Sequence, residues 1–514
     1  MNPAKQGWLW LALFALGAHL AFQGARGVDN SSEGRYAECA RAMVASGDFL
    51  TPTLNGLPHW TKPPLGYWSA ALGIQTLGVN PWGARLGNAL AGAATVLLVG
   101  GAAAAFFGNA VGLTAGWVYL SSPFPYFGAY ALTVDTVLTL WAAAAVFCFA
   151  RFRRAPVGLG WVIGFWVACG MGFMTKGPLI FLPLAPLLIW HVRSGGSRRI
   201  FHPAGLAAFA VSGLWWFVAI FMKHPELLRY YLEEELLARL GGKVGEETTH
   251  NRQFYKSFTI YLPVLTVGAG PWLYYAGSVF RERELWKPKV VWKMLWDKGH
   301  AGLFLSWLLL PLVLFFLSSS RLHLYVLPLY AAVAIVAAHE VVRRHGGAFP
   351  ARKLARVALT TLAVLLFIKG AFTDRSEIFL HNTLNGLGQP GLAKGLPPAN
   401  NMGPVFAKIS ALPYFKDLTI VTFEKSEIFG LQFYMQGALR RSTIAAEAVD
   451  SKEPIHDVLE EIKQSPDTRE WAFFCMPKHM ELLDEGLQKE GFKTERVDLK
   501  KWWLIRITGR PSAA

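Results

Sequence analysis

The sequence predicts a mostly α-helical, polytopic membrane protein with a C-terminal soluble α/β domain, and three observations predict it. Hydrophobic residues fill 53% of the 514 positions and charged ones 16%, with a mean hydropathy of +0.31. A soluble chain of this length would divide into domains and carry more charge. Apolar runs approaching the roughly 20 residues of a spanning helix recur about eleven times. They centre near residues 15, 95, 120, 142, 166, 184, 212, 268, 309, 332 and 362. From about Asp374 onward that pattern gives way to short strand and helix signals.

In chain order, Gly7 to Phe22 is read as a retained first helix, because Ala25-Arg26-Gly27 makes a poor signal-peptidase site. A polar segment, Asp29 to Trp68, follows; at about forty residues it is far longer than a turn between helices needs. Within it Ser32-Glu33-Gly34-Arg35-Tyr36 opens a helical pattern whose stripe of Ala37, Ala40, Met43 and Val44 suits a helix lying along the membrane surface. The runs near 166 and 184 are joined only by Thr175-Lys176-Gly177-Pro178. In the tail, Leu418–Phe423, Trp471–Met476 and Lys501–Ile507 read as strands, and Pro454–Lys463 and Pro477–Glu490 as helices. The expected division is a transmembrane domain over 1–373, with outer loops 24–68 and 223–256, and a soluble domain over 374–514.

Charge sets the orientation. The net charge of +16 comes from short basic loops: Arg151 to Arg154, Arg193 to Arg199, Arg281 to Lys298 and Arg343 to Lys353. All fall on one side if the spans alternate, and positive loops stay in the cytoplasm. The Asp29–Trp68 loop, Asp135, Lys176, the Lys223–Lys256 loop and Ser318–His323 then share the outer face, as does the tail. Base confined to short interhelical loops argues against nucleic acid as a partner. The four cysteines show no CxxC spacing and no disulfide framework.

The outer-face residues are of chemically useful types. Ser32 is placed to cap a helix, and Glu33 and Arg35 follow it as either a solvated face or a site. Lys62 precedes Pro63-Pro64, a rigid cation at a helix start, suited to a phosphate or to lipid headgroups. Asp135 interrupts an apolar run, where an acid has a partner, a job, or a helix to cap. Lys176, Arg321 and Tyr325 add two cations and a phenol near the same surface. Cations at headgroup level suit a lipid-linked phosphate, and a carboxylate can orient or deprotonate an attacking hydroxyl.

The segment SEGRYAECARAMVASGDFLTPTLNGLPHWTKPPLGYW, from Ser32, resembles the first outer loop of the bacterial aminoarabinose transferases that modify lipid A. These belong to the wider protein-mannosyltransferase-like family 39 of GT-C glycosyltransferases. GFMTKGPL from Gly172, LLRYYLEEELLAR from Leu227, His250 and SRLHLYVLPLY from Ser320 extend the resemblance over about residues 8 to 340. It implies an inner-membrane enzyme that takes a sugar from undecaprenyl phosphate on the periplasmic face with inversion. Lys62, Arg35, Lys176, Arg321 and Tyr325 would hold the donor phosphate. Two departures stand out: Ser32 replaces the family's catalytic Asp, leaving Asp29, Glu33 and Asp135 as the candidate carboxylates. Thr61 replaces an acid before Lys62, so no cofactor is certain, and a divalent metal would have only His59 and His250.

The sequence thus reads as a glycosyltransferase whose partners are a polyprenyl-phosphate sugar, a lipid, glycan or protein acceptor, and membrane lipids. The rival readings are a lipid-linked sugar flippase, which would want charges at the midplane and repeat symmetry, and a catalytically degenerate scaffold.

Overall fold

A computed structural model describes residues 3–30, 32–155, 158–229, 231, 255–276, 287–318, 321–371, 401–424, 428–443, 452–465, 470–499 and 502–511. Among these, six helices are long and apolar enough to cross a membrane: Pro81–Phe107, Val134–Arg154, Leu159–Arg193, His300–Leu317, His323–Arg344 and Ala351–Ala371. Pro203–Gly213 and Trp215–Lys223, bent by 45°, form a seventh if taken as one span. The runs near 166 and 184 both lie in Leu159–Arg193, which doubles back at Gly177: Lys176 meets Asp135 at one end of Val134–Arg154, while Trp190 returns to within 4.8 Å of the Arg153 guanidinium at the other. The run near 120 forms the 12-residue helix Asn109–Leu120, and that near 268 includes Tyr255–Val267, which begins where the described residues resume.

Local chemistry sets these boundaries. Asn80 accepts a hydrogen bond from the Gly83 amide at 3.0 Å and Pro81 opens the helix, an arrangement favoured at an N-terminus. Val134–Arg154 carries Asp135 in its first turn and Arg151, Arg153 and Arg154 in its last, matching the helix dipole at both ends. Leu159–Lys176 stops at Gly177, whose φ of +63° is a conformation glycine adopts readily. That stop leaves the Lys176 side chain at the same end of the bundle as Asp135.

The outer loop is a folded unit. Ser32–Ser46 is helical, and Ala37 and Ala40 are fully buried. Their stripe packs on the helix Leu65–Leu77 and on Phe433, so it faces protein where the sequence suggested a lipid surface. Strands β1 (Thr53–Leu54) and β2 (Leu57–Pro58) form a hairpin. Its turn residues Asn55 and Gly56 have φ of 60° and 78°, the left-handed pair that Asn-Gly favours. Trp68 and Trp216 tie the loop down, donating to the carbonyls of Phe49 and Leu50, each at 2.8 Å.

The C-terminal region is a six-stranded sheet. Its strands are β3 (Leu418–Phe423), β4 (Arg440–Thr443), β5 (Glu453–Pro454), β6 (Glu470–Cys475), β7 (Lys493–Asp498) and β8 (Trp503–Gly509), in the order β5-β4-β3-β6-β8-β7. The first four run parallel and the last two pairings are antiparallel. Side-chain alternation makes two cores: Ile420, Ala472, Phe474 and Leu504 on one face, and Val421, Phe473, Cys475 and Ile505 on the other. The expected boundary at 373/374 falls outside the described residues.

This sheet domain rests on the outer loop. Asp29 and Asn401 form a β-bridge, and the Met402 amide donates to the Val28 carbonyl at 3.1 Å. The Val28 amide donates to the Tyr434 hydroxyl at 2.9 Å, and Arg441 donates to the Asn55 carbonyl at 3.2 Å. Gly34 and Gly430 meet backbone to backbone: a Cβ built on Gly34 would lie 2.5 Å from the Gly430 amide nitrogen.

Candidate active site

Two polar clusters lie where the loop meets the spans. The first surrounds Glu33, which is 4% exposed. Arg85 grips both its oxygens, Nε to Oε1 at 2.8 Å and Nη2 to Oε2 at 2.9 Å. Arg26 adds contacts of 3.2 and 3.0 Å, and the amides of Leu132 and Asp29 donate at 3.1 and 3.0 Å. A carboxylate offers about four lone-pair positions, so Glu33 has no acceptor capacity left for substrate. Burial alone would raise its proton affinity, but Arg85 and Arg26 outweigh it and hold the carboxyl well below the usual range. Arg85 itself is fully buried and also donates to the carbonyls of Gln23, Arg26 and Gly27 at 2.8, 2.6 and 2.7 Å.

Asp29 borders this cluster. Its Oδ1 accepts from Arg26 at 2.6 Å, and its side chain is 26% exposed. Burial first, then the Glu33 charge, push its carboxyl up to about 6, against the pull of Arg26 and Arg85. Glu33 is thereby held as an ion, while the Asp29 carboxyl is held above its usual range.

The second cluster collects most of the cations picked out in the sequence. Asp135 and Lys176 are ion-paired, and the Lys176 ammonium sits 4.5 Å from the centre of the Tyr325 ring. Both charged residues are buried, as is Arg321. Tyr36 lies within electrostatic reach of Lys176, Asp135, Arg35 and Tyr325, and Tyr261 within reach of Tyr325 and Arg321. Arg35 donates from Nη2 to the Ser32 hydroxyl at 3.2 Å, while its Nε is buried with no hydrogen-bond partner among the described residues. Arg35 also adjoins His59 and, through it, Lys62.

The structure thus gathers Arg35, Lys62, Asp135, Lys176, Arg321 and Tyr325 at one end of the bundle, and sets Asp29 and Glu33 in the adjoining arginine cluster. His59 hydrogen-bonds the Thr61 hydroxyl at 2.8 Å. Burial, then Arg35 and Lys62, lower its imidazole to about 4, and two cations as neighbours fit a divalent ion poorly. His250 lies outside the described residues. Among the described residues no three His, Cys, Asp or Glu side chains come together.

Sequence reasoning missed Arg26, Arg85 and Tyr36. Arg85 had a signal, since a lone arginine in the apolar run PWGARLGNAL requires a buried partner. Arg26 had none, because it reads as an ordinary loop charge.

The chain is similar to known proteins in sequence and in fold. Residues 61–222 match the family model described as dolichyl-phosphate-mannose-protein mannosyltransferase. The undecaprenyl phosphate-alpha-4-amino-4-deoxy-L-arabinose arabinosyl transferase of Edwardsiella ictaluri is 32% identical over 348 residues, 66% of this chain and 60% of that protein. The Pseudomonas savastanoi pv. phaseolicola protein of the same name is 30% identical over 377 residues, 71% of this chain and 67% of its own length. The crystal structure of ArnT from Cupriavidus metallidurans bound to undecaprenyl phosphate superposes with a TM-score of 0.71 at 20% identity, covering 98% of this chain and 99% of that one. Its apo form gives 0.69 at 19% identity, covering 97% of each.

The fold is therefore that of the GT-C membrane glycosyltransferases, with a C-terminal sheet domain. Within that class, the chain belongs to the family of the aminoarabinose transferases. It spans 60, 59 and 64% of the length of the relatives from Edwardsiella ictaluri, Sodalis glossinidius and Pseudomonas aeruginosa.

Proposed function

We propose that the protein transfers a sugar from undecaprenyl phosphate to a hydroxyl of a lipid, glycan or protein acceptor at the periplasmic face of the bacterial inner membrane. The observation that carries this reading is a run of neighbours at one end of an apolar bundle: Lys62 and Arg35 about His59, Arg35, Lys176, Asp135 and Tyr325 about Tyr36, and Tyr325 and Arg321 about Tyr261. A lipid anchored in the bundle presents its phosphate at that depth, and cations there stabilise the charge that develops as the phosphate departs. The acceptor oxygen attacks the anomeric carbon from the face opposite the phosphate. The bond from that carbon to the phosphate oxygen breaks with its electron pair on the phosphate, and the configuration inverts. The acceptor proton passes to a carboxylate.

We assign that carboxylate to Asp29. It stands three residues before Ser32, is partly exposed, and its carboxyl is raised to about 6, close to what a base at neutral pH requires. Glu33 is saturated by its donors and serves as the scaffold of the loop. A second reading assigns the base to Asp135, favoured by its place among the cations.

The test is transfer of radiolabel from polyprenyl-phosphate sugars to a membrane lipid and protein extract by the purified protein. Lys62→Ala and Asp29→Asn are each expected to lower turnover on the order of 100-fold or more while the protein remains folded. Full activity in Asp29→Asn with loss in Asp135→Asn would move the base to Asp135. Unchanged donor levels with wild type would remove the transferase reading, and release of sugar on the opposite leaflet of a vesicle would replace it with transport.

A further inference from the structure

The segment Val28–Asn30 leads into the candidate base, yet much of what holds it comes from the far end of the chain. The Val28 amide donates to the Tyr434 hydroxyl, and its carbonyl accepts from Met402. Asp29 forms its β-bridge with Asn401, and the Asn30 side chain accepts from the Gly430 amide at 3.3 Å. Gly430 packs so closely that a Cβ there would lie 2.8 Å from the Asp29 carbonyl oxygen and 3.0 Å from that of Val28. Gly27 shows the same closeness to Gly403, whose Cα would be 2.6 Å from an added Cβ. Only glycine permits backbones to approach this far.

A second contact lies at the other end of the loop. Arg441, 7% exposed, donates to the Asn55 carbonyl in the turn of the β1–β2 hairpin. The second strand of that hairpin ends at Pro58, and the chain leaves it through His59 and Thr61 to Lys62. Glu38, ion-paired with Arg41 at 2.7 Å, lies within electrostatic reach of Arg441.

We infer that the C-terminal sheet domain positions both halves of the reaction centre, with Gly430 and Tyr434 setting the Asp29 carboxylate and Arg441 setting the Lys62 hairpin. The inference rests on the transfer reaction proposed above. A misplacement of about 1 Å in a reacting group costs on the order of 100-fold in rate, so contacts of this kind are kinetically visible without touching substrate. The two contact sets act on different groups and predict different kinetics.

The experiment compares Gly430→Ala, Tyr434→Phe and Arg441→Gln in the full chain. In Gly430→Ala and Tyr434→Phe, kcat is expected to fall by about 10- to 100-fold with donor KM unchanged. The acid limb of the pH profile should also move, because Asp29 shifts against the Arg26, Glu33 and Arg85 charges that face it. In Arg441→Gln, donor KM is expected to rise by about 10-fold, the share of one charge-assisted hydrogen bond, with the acid limb unmoved. A domain needed only for folding would instead lower the active fraction in all three, with KM and pH profile as in wild type, and that result overturns the inference. Hydrogen exchange over residues 28–62 gives a readout independent of turnover. Faster exchange in the variants supports positioning even if no donor is consumed, whereas wild-type protection in all three overturns it.

Discussion

Glu33 is held by more donors than any other carboxylate this structure describes near the outer loop. A carboxylate with six donor contacts from two arginines and two amides is part of the frame. Replacing it with Gln leaves the fully buried Arg85 uncompensated, which costs about 3 to 5 kcal/mol; thermal unfolding in detergent is the measurement. The pH dependence follows the same logic. Because the Glu33 carboxyl is held below its unfolded value, its pairing stabilises the protein above about pH 4.3 and is lost as the pH falls below that. Asp29 behaves oppositely, its folded value being raised to about 6. Deprotonating it costs stability as the pH rises toward 6, while the base form it generates should raise kcat/KM over the same interval. In Asp29→Asn that limb should vanish. The residue types of this site were legible in the sequence, and their allocation was not. Glu33 and Asp29 are both loop acids four positions apart, and only the side on which Arg85 lies separates ion pair from candidate base. Arg85 reaches Glu33 across 52 positions, a pairing no local pattern announces.

At the scale of elements, Gly177 decides where Lys176 points. Its φ of +63° ends the helix Leu159–Lys176, and the chain beyond it returns as Phe181–Arg193 toward Arg153. Gly177→Val should therefore strain that reversal by about 1 to 3 kcal/mol and pull Lys176 from Asp135. The expected readout is a loss of kcat/KM larger than in Lys176→Met, because the backbone moves as well as the charge. Apolar runs and alternating strands were readable. Leu418–Phe423 falls where the sequence puts it, and the helix read at Pro454–Lys463 appears as Ile455–Gln464, one residue along. Strand β7, KTERVD, escaped because it is a mostly exposed edge of charged residues and carries no buried face to give it a period. The helix Ser32–Ser46 was placed correctly, but its neighbour was misjudged, since an alanine stripe is equally suited to lipid and to a second helix.

For the whole molecule, the distribution of charge makes a further prediction. Arg151, Arg153 and Arg154 close a span that begins beside Asp135, so the basic end and the reactive end of Val134–Arg154 lie on opposite sides of the bundle. Cysteines introduced at Arg154 and at Asn55 should label from opposite faces of sealed vesicles, Asn55 with the sheet domain and Arg154 alone. Labelling of both from one side would reverse or break this topology. Among the described residues, the apolar runs near 166 and 184 are the two arms of a reversal at Gly177-Pro178, joined where the sequence joins them.

The hydrogen bond between Val28 and Tyr434 joins positions 406 residues apart. During synthesis at about 5 to 20 residues per second, the partner of Val28 leaves the ribosome about 20 to 80 s after it. The spans are committed to the bilayer long before the last contact to the outer loop can form. A nascent chain that stalls in the tail would thus be inserted but unfinished, and the membrane would hold no active copy until translation was complete.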